Sequence, residues 1–583
     1  MLNISISCPI LTRTADQDEM ISKSPKIDSL RDWHIVLAIT ILITLVFGRS
    51  LTYGFTYADD TQLLVVNQEF LGNLANIPRL FNTDVFISMT NPYVFYRPML
   101  NLLFMVELQF EKDSTWLFHL TNILLHLGCS VVLYFLFKEL KLSKLIAGMA
   151  ACIFCIHPIN TSAIVWISGR NDTLLALFIL SSFLFFLRWM ETKKVWQLLC
   201  HLLLFFFAIL TKESAIFFPF LCLSYEFYVR KENPGRGKII LIIITYTIIA
   251  AIWIALRSLV HQTFEIQFEV VQLISGWLKN LPALVLYVGK IFFPFNLSVY
   301  PNLEDHSLVL GGISVFSIII LMLSKQPSRR AIFWGFAWFL LFLVPTFISG
   351  EIFYEHRAYC ALIGAFFALT QLRPIKDIDF SKILPIIELN TLILLFSILT
   401  ILHTMHFQSR LAFTTSAYRL DPSIDESYSG LAGTYIDAGD DEAALKILQA
   451  GISRKQNMRI AHRMLADIFT RRGNYAEAQR EYEISLKIEP LHLYTYINYG
   501  KMCLYAGNID DAPLLWKRAV FINPDFLLGY YYLANFYVHT KMDADSAMIY
   551  VREIQRHGAI VMPELMESID GVKKVEKNKL FSQ

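Results

Sequence analysis

Charge is scarce in this chain. Only 17% of its 583 residues are Asp, Glu, Lys or Arg, while 55% are hydrophobic. Soluble domains carry about 25% charged residues, so a soluble fold is excluded for most of the length. The net charge of +2 implies neither an acidic nor a basic partner, and no nucleic acid is expected. Cysteine gives no framework either. Most of the eight cysteines lie in apolar stretches, and only Cys503 falls in the more polar C-terminal third, which excludes a disulfide scaffold there. Cys152 and Cys155 form a CxxC inside an apolar run, where they read as small packing residues rather than a redox pair. No P-loop or dinucleotide fingerprint occurs, which argues against a nucleotide-driven pump. The first 30 residues are polar and precede a long apolar run, unlike a cleaved signal peptide.

Long hydrophobic runs are what the chain does have. About 20 apolar residues cross a bilayer, and spans are expected near 33–53, 116–137, 144–158, 172–190, 195–211, 213–229, 238–259, 307–323, 331–349, 357–372 and 382–403, eleven in all. The connections sort by charge. Lys138, Lys141 and Lys144 form one basic loop, and Arg188, Lys193 and Lys194 a second. Arg230, Lys231, Arg236 and Lys238 form a third, Lys325, Arg329 and Arg330 a fourth, and Arg373, Lys376 and Lys382 a fifth. The positive-inside rule places all five, with Lys23, Lys26 and Arg31, in the cytoplasm. Parity then puts residues 54–115 and 404–583 outside. The apolar stretches 94–110 and 270–294 become interfacial or re-entrant helices rather than crossings.

With this topology the outer face collects Asp59, Asp60, Arg97, His119, His157, Arg170, Asp172, Lys212, Glu213, Glu355, His356 and Arg357. Ionisable groups at membrane depth are costly and point to function, although helix ends also carry polar residues that snorkel to water. Of the adjacent carboxylates Asp59 and Asp60, one is placed to take a proton from an acceptor hydroxyl; the other reading is a helix N-cap. Arg97, Arg170, Lys212 and Arg357 suit phosphate, or lipid headgroups. His119, Asn122 and His126 share a helix face by their spacing of three and four. They either bind zinc or hydrogen-bond a neighbouring helix, and no metal ligand is assigned.

The C-terminal part has a period of 34. Ala432, Ala466, Gly500 and Ala534 recur, as do Gly439, Gly473 and Gly507, with Lys541 in the fourth copy. Ala444, Ala478, Ala512 and Ser546 follow, then Leu448, Tyr482, Trp516 and Tyr550, and Pro490 and Pro524 close two units. This is the tetratricopeptide pattern of small residues at a helix crossing, Gly at the turn and Pro at the end. It gives units 425–458, 459–492, 493–526 and 527–560, an array whose concave groove suits a peptide or protein. Residues 571–583, with Lys573, Lys574, Lys577 and Lys579, read as a basic disordered tail.

Several short motifs, in order, resemble the transmembrane O-mannosyltransferases with tetratricopeptide repeats and their bacterial relatives. They are Tyr-Ala-Asp-Asp at 57–60, Tyr-Arg-Pro-Met-Leu at 96–100, and His-Leu-Thr-Asn-Ile-Leu-Leu-His at 119–126. A long block follows at 156–172, Ile-His-Pro-Ile-Asn-Thr-Ser-Ala-Ile-Val-Trp-Ile-Ser-Gly-Arg-Asn-Asp, then Thr-Lys-Glu-Ser-Ala at 211–215 and Glu-His-Arg-Ala-Tyr at 355–359. The resemblance implies a GT-C glycosyltransferase that moves a sugar from a polyprenyl-phosphate carrier to an acceptor on the non-cytoplasmic side. It implies an acid, Asp59 or Asp60, as base or acceptor-orienting group, and Arg97, Arg170, Lys212 and Arg357 around the lipid phosphate. His119, Asn122, His157, Asp172, Glu213, Glu355 and His356 would be supporting polar groups. The chain departs from the family where Asn160 and Ser162 replace a His and a Glu, and where Arg-Asn-Asp replaces Arg-Ala-Asp.

The expected architecture is therefore all-α. A cytoplasmic segment, 1–32, precedes a polytopic GT-C-like body of about eleven spans, 33–410. A repeat solenoid, 411–570, and a tail follow. The expected partners are membrane lipid, a polyprenyl-phosphate-linked sugar such as mannose, and a protein or peptide acceptor held by the repeats. No resident cofactor is assigned, and a divalent metal is left open. The expected location is a bacterial inner membrane with periplasmic repeats, or the endoplasmic reticulum with lumenal repeats in a eukaryote. The rival reading is a non-enzymatic membrane scaffold whose repeats gather partners.

Overall fold

A computed structural model describes residues 31–56, 58–87, 95–231, 235–260, 270–326, 328–348, 352–556 and 561–581. The N-terminal segment, apart from residues 31 and 32, and Tyr57 of the first motif lie outside that set. Among the described residues every regular element is helical and no strand occurs.

Among the described residues six helices are long and apolar enough to cross a bilayer by length and composition: Asp32–Thr52, Trp116–Glu139, Ile167–Thr192, Arg236–Arg257, Arg329–Phe347 and Ile383–Phe407. The run read as a single span at 144–158 is instead bent. Lys144–Cys155 and Pro158–Val165 meet at 51°, because Pro158 has no N–H to continue the helix. Val195–Thr211, Val309–Leu323 and Tyr359–Thr370 are shorter. The run at 213–229 is assembled from the successive turns Glu213–Phe217, Phe218–Ser224 and Tyr225–Arg230.

The stretches excluded as crossings are short helices. Pro98–Glu107 buries Leu100, Phe104 and Met105. At 1.5 Å per residue its ten residues reach about 15 Å, half of a hydrocarbon core of about 30 Å. Val270–Asn280 and Ala283–Phe292 likewise form two separate pieces.

Helices of the body approach closely where glycines face each other. A Cβ on Gly364 would meet the Gly335 carbonyl oxygen and the Trp338 Cβ, both at 2.5 Å. In lipid, where burial adds little between helices, such backbone approach is a main source of association. The CxxC cysteines pack within their helix, and the Cys155 thiol donates to the Cys152 carbonyl at 3.1 Å.

Beyond the last long helix, Arg410–Leu420 packs on the first repeat helix. Each unit of the 34-residue register then holds a helix pair, from Asp425–Asp437 with Asp441–Arg454 to Leu527–His539 with Ala544–Arg556. The period has a steric origin. Ala432, Ala466 and Ala534 are fully buried at the crossings, and a Cβ on Gly500 would lie 2.3 Å from the Trp516 Nε1. Gly439, Gly473 and Gly507 turn with φ of 80°, 76° and 84°, a region that glycine enters without steric cost.

The basic tail is not an unstructured extension in its described part. Pro563–Phe581 is one helix, and Leu565, Ile569 and Val572 are buried in a cluster with Ala534, Val538, Ala547 and Val551 of the last unit. Their i, i+4, i+7 spacing gives the helix an apolar stripe that covers the open end of the solenoid. Counting lysines hid that stripe.

The repeats are fastened to the body by buried polar contacts. Asp421, fully buried, accepts from the Tyr300 backbone N–H at 3.1 Å and lies 3.0 Å from the His306 Nε2. The Ser423 N–H donates to Asp305 at 2.9 Å. From the same loop, the Pro301 carbonyl accepts the Phe353 N–H at 2.6 Å, next to the Glu-His-Arg motif.

Candidate active site

A cavity of about 480 Å³ opens in the body on the side that faces the repeats. It gathers Asp59, Arg97, Asp172, Lys212, Glu213, His356 and Arg357. These seven residues come from five of the quoted motifs, separated by up to 298 positions of chain (357 minus 59).

The adjacent acids take different parts. Asp60 is fully buried. Its Oδ2 accepts from the Thr56 N–H at 3.0 Å and the Thr56 hydroxyl at 2.7 Å. Its Oδ1 accepts from the Ser168 N–H at 3.1 Å and from the Ser168 hydroxyl. Four donors saturate the carboxylate, and they tie the first loop to the 156–172 block. Asp59 is exposed to the cavity and makes no hydrogen bond or ion pair among the described residues. The surrounding protein and the Asp60 charge raise its carboxyl to about 6, against the pull of Arg97 and Arg357.

The cations are held to different degrees. The Lys212 ammonium grips both Asp172 oxygens, at 2.7 and 2.9 Å. Burial pulls Lys212 below its usual range, and the Asp172 charge opposes that pull. Arg97 lies 3.6 Å from Glu213 and over the Phe95 ring. Glu213 also accepts the Tyr96 N–H at 3.2 Å. Among the described residues Arg357 contacts carbonyl oxygens, Thr346 at 3.4 Å and Ile352 at 3.3 Å, with its guanidinium over Tyr354. Among the described cations of the cavity it is the one without a carboxylate in contact. Burial, and then Lys212, Arg357 and Arg97, keep His356 well below its usual range.

Residues absent from the sequence-derived set also line the cavity, Trp166, Tyr354 and Asn171 among them. Trp166 and Tyr354 form an aromatic wall with the His356 ring, 5.5 Å from Trp166 and 5.2 Å from Tyr354. Asn171 adds an amide. The Trp166 Nε1, Asn171 Oδ1, His356 Nδ1 and Arg97 Nε are buried without a hydrogen-bond partner. Buried polar atoms are normally paired, and these four, unpaired among the described residues, are available to a polar ligand. Trp166 and Asn171 lay within the long motif, but an aromatic in an apolar run gives no local sign of facing a cavity.

Other expected site residues are structural. Arg170, proposed for phosphate, is fully buried and ion-paired with Glu107. Its guanidinium lies against Phe104 and Phe118 and donates to the Phe118 carbonyl at 2.8 Å. Its charge is spent on an acid that the sequence reading passed over. His119 contacts the Tyr53 carbonyl at 3.1 Å, and the Asn122 amide donates to Ile164 and Trp166 carbonyls at 3.0 and 3.2 Å. His126 meets the Tyr359 hydroxyl at 2.6 Å and the Cys155 carbonyl at 2.9 Å. The polar stripe therefore joins helices. His157 contacts the Ile291 carbonyl at 3.0 Å. Glu355 lies behind the cavity, bound to Lys290 and His403, both at 2.9 Å. Burial works to raise its carboxyl, but Lys290 and then His403 bring it down to about 2.

Among the described residues Asp172 is engaged by Lys212 and Glu213 by Arg97, which leaves Asp59 as a lone carboxylate, whereas hard cations take several oxygen ligands.

No protein-family model matches the chain. It is 22% identical to protein O-mannosyl-transferase TMTC3 of Homo sapiens over 91% of its own length and 66% of that protein. Over a third of the chain it is 28% identical to protein O-mannosyl-transferase TMTC1 of Homo sapiens, and over 24% it is 30% identical to TMTC4 of the same organism. The chain spans at most about two thirds of the length of these curated relatives. With a membrane-capable helical body followed by helical repeats, and with the ordered motifs gathered at one cavity, the chain is a relative of the TMTC-like protein O-mannosyl-transferases.

Proposed function

We propose that the protein is a membrane glycosyltransferase that moves a sugar, mannose by the names of its relatives, from a polyprenyl phosphate to a Ser or Thr hydroxyl on the non-cytoplasmic side. One observation carries this reading. Among the described residues Asp59 is the one unpartnered carboxylate of a cavity that also holds three cations and an aromatic wall. The acid supplies a base, the cations a seat for phosphate, and the rings a surface for a sugar.

In the proposed step the acceptor oxygen attacks the anomeric carbon, and its proton passes to Asp59. The bond from that carbon to the phosphate oxygen breaks, and the polyprenyl phosphate leaves with the electron pair. A carboxyl near 6 is mostly ionised at neutral pH and still basic enough to share the proton. Arg357, with no carboxylate partner among the described residues, binds the developing charge, and Arg97 and Lys212 add to the field. Asp60, saturated by the Thr56 and Ser168 donors, holds the Asp59 loop. Such a reaction needs no resident cofactor.

The test is transfer of labelled mannose from polyprenyl-phosphate mannose in membranes holding the protein. Label should reach a polypeptide with the wild type and not with Asp59→Asn. Equal transfer by the variant would remove Asp59 from the mechanism, and no transfer from mannose or glucose carriers would favour the scaffold reading.

A further inference from the structure

A second cavity, of about 660 Å³, lies where the body meets the first two repeats. From the body come Phe95, Ile352, Tyr354 and Arg357, and the repeats supply residues that include Glu426, Lys455, Asn457 and Arg459. Phe95, Tyr354 and Arg357 also line the cavity of Asp59. The two spaces are therefore neighbours that share these three side chains as a common wall. We infer that this second cavity binds the acceptor as an extended polypeptide segment and leads its hydroxyl past Tyr354 and Arg357 to Asp59. The inference rests on the function proposed above and adds where, and by which groups, the acceptor is held.

The chemistry of the walls favours a peptide. Two repeat cations are already engaged, Lys455 with Glu304 at 3.6 Å and Arg459 with Glu489 at 3.0 Å. The lining is thus poorly suited to a second phosphate or an anionic headgroup. The uncommitted polar groups are Asn457 and Glu426, which make no hydrogen bond or ion pair among the described residues. An amide offers a donor and an acceptor, as a peptide unit does, and a carboxylate accepts main-chain N–H groups. Apolar contact comes from Ile352, Ile424, Met458 and Ile488. A volume of this size lies in the usual range of about 300–1,000 Å³ for ligand sites.

The position also solves a problem of access. The acceptor hydroxyl must reach Asp59 while a lipid-linked donor occupies the same cavity. An acceptor entering between the repeats and the body would approach from the side lined by Glu426, Asn457 and Met458. Because Asp421 and Ser423 are fastened to the loop beside it, the repeat wall of the cavity is fixed against the catalytic side.

The test uses the full chain in nanodiscs and a fluorescent 20-residue unstructured peptide containing Ser and Thr. Fluorescence anisotropy should show saturable binding. Asn457→Ala combined with Glu426→Gln should weaken it at least tenfold, while Asp59→Asn leaves it unchanged. In transfer assays the double variant should raise KM for the peptide and leave KM for a single blocked Ser unaltered. No binding by the wild type, equal binding by the double variant, or displacement by an oligomannoside instead of unlabelled peptide would overturn the proposal. Peptide binding without sugar transfer by the wild type would support the acceptor site and refute the transferase reading, so the two failures are distinct.

Discussion

Asparagine at position 59 and asparagine at position 60 should produce opposite phenotypes, although the residues are neighbours with the same side chain. Asp60 accepts four hydrogen bonds while fully buried. In Asp60→Asn one carboxylate oxygen becomes an NH₂ that faces two donors, so two charge-assisted bonds are lost. Hydrogen bonds to charged groups contribute about 1.5–3 kcal/mol each, which sums to about 3–6 kcal/mol. The loss detaches the 56–60 loop from the 156–172 block. Asp59→Asn breaks no hydrogen bond or ion pair among the described residues. Its folded-state pKa is raised above the ordinary value, so its charge opposes folding at neutral pH, and removing that charge leaves stability equal or slightly greater. Loss of a general base costs transfer about 10²–10⁴-fold. The assay pairs thermal inactivation of the detergent-purified protein with transfer from polyprenyl-phosphate mannose. Asp59→Asn should be stable and inactive, and Asp60→Asn should be heat-labile. A stable, inactive Asp60→Asn beside an active Asp59→Asn would refute the division of labour.

Other outcomes follow from the same geometry. Transfer under kcat/KM conditions should fall about tenfold per pH unit below about 6, as protonation removes the Asp59 base; a flat acid limb in a pH–rate profile would count against it. Arg357→Lys should raise the donor KM more than tenfold and leave thermal stability nearly unchanged, because an ammonium lacks the planar fork that matches phosphate; steady-state kinetics with varied donor checks this. Gly364→Val should destabilise the body by about 1–3 kcal/mol or more, since its Cβ already has no room against Gly335 and Trp338, measured as a lower thermal midpoint. Asp421→Ala should loosen the repeats by stranding His306 and the Tyr300 N–H, seen as faster protease cleavage near 421–424 with each part still helical by circular dichroism.

Much of the molecule was legible in the chain because its causes are local or periodic. A bilayer demands apolar runs of fixed length, and a helix crossing repeated every 34 residues demands Ala432, Ala466, Gly500 and Ala534 in register. The ordered motifs named the segments that meet, and seven of their charged or titratable residues share the cavity. Sequence could not rank Asp59 against Asp60. The donors that saturate Asp60 include Ser168, 108 positions away, and only chain folding brings them together. Arg170 carries the same charge as Arg357, yet the fold sets Glu107 against one and backbone carbonyls against the other. Burial and pairing are properties of the assembled helices. They decided which charges are free to act on a substrate and which ones hold the structure together.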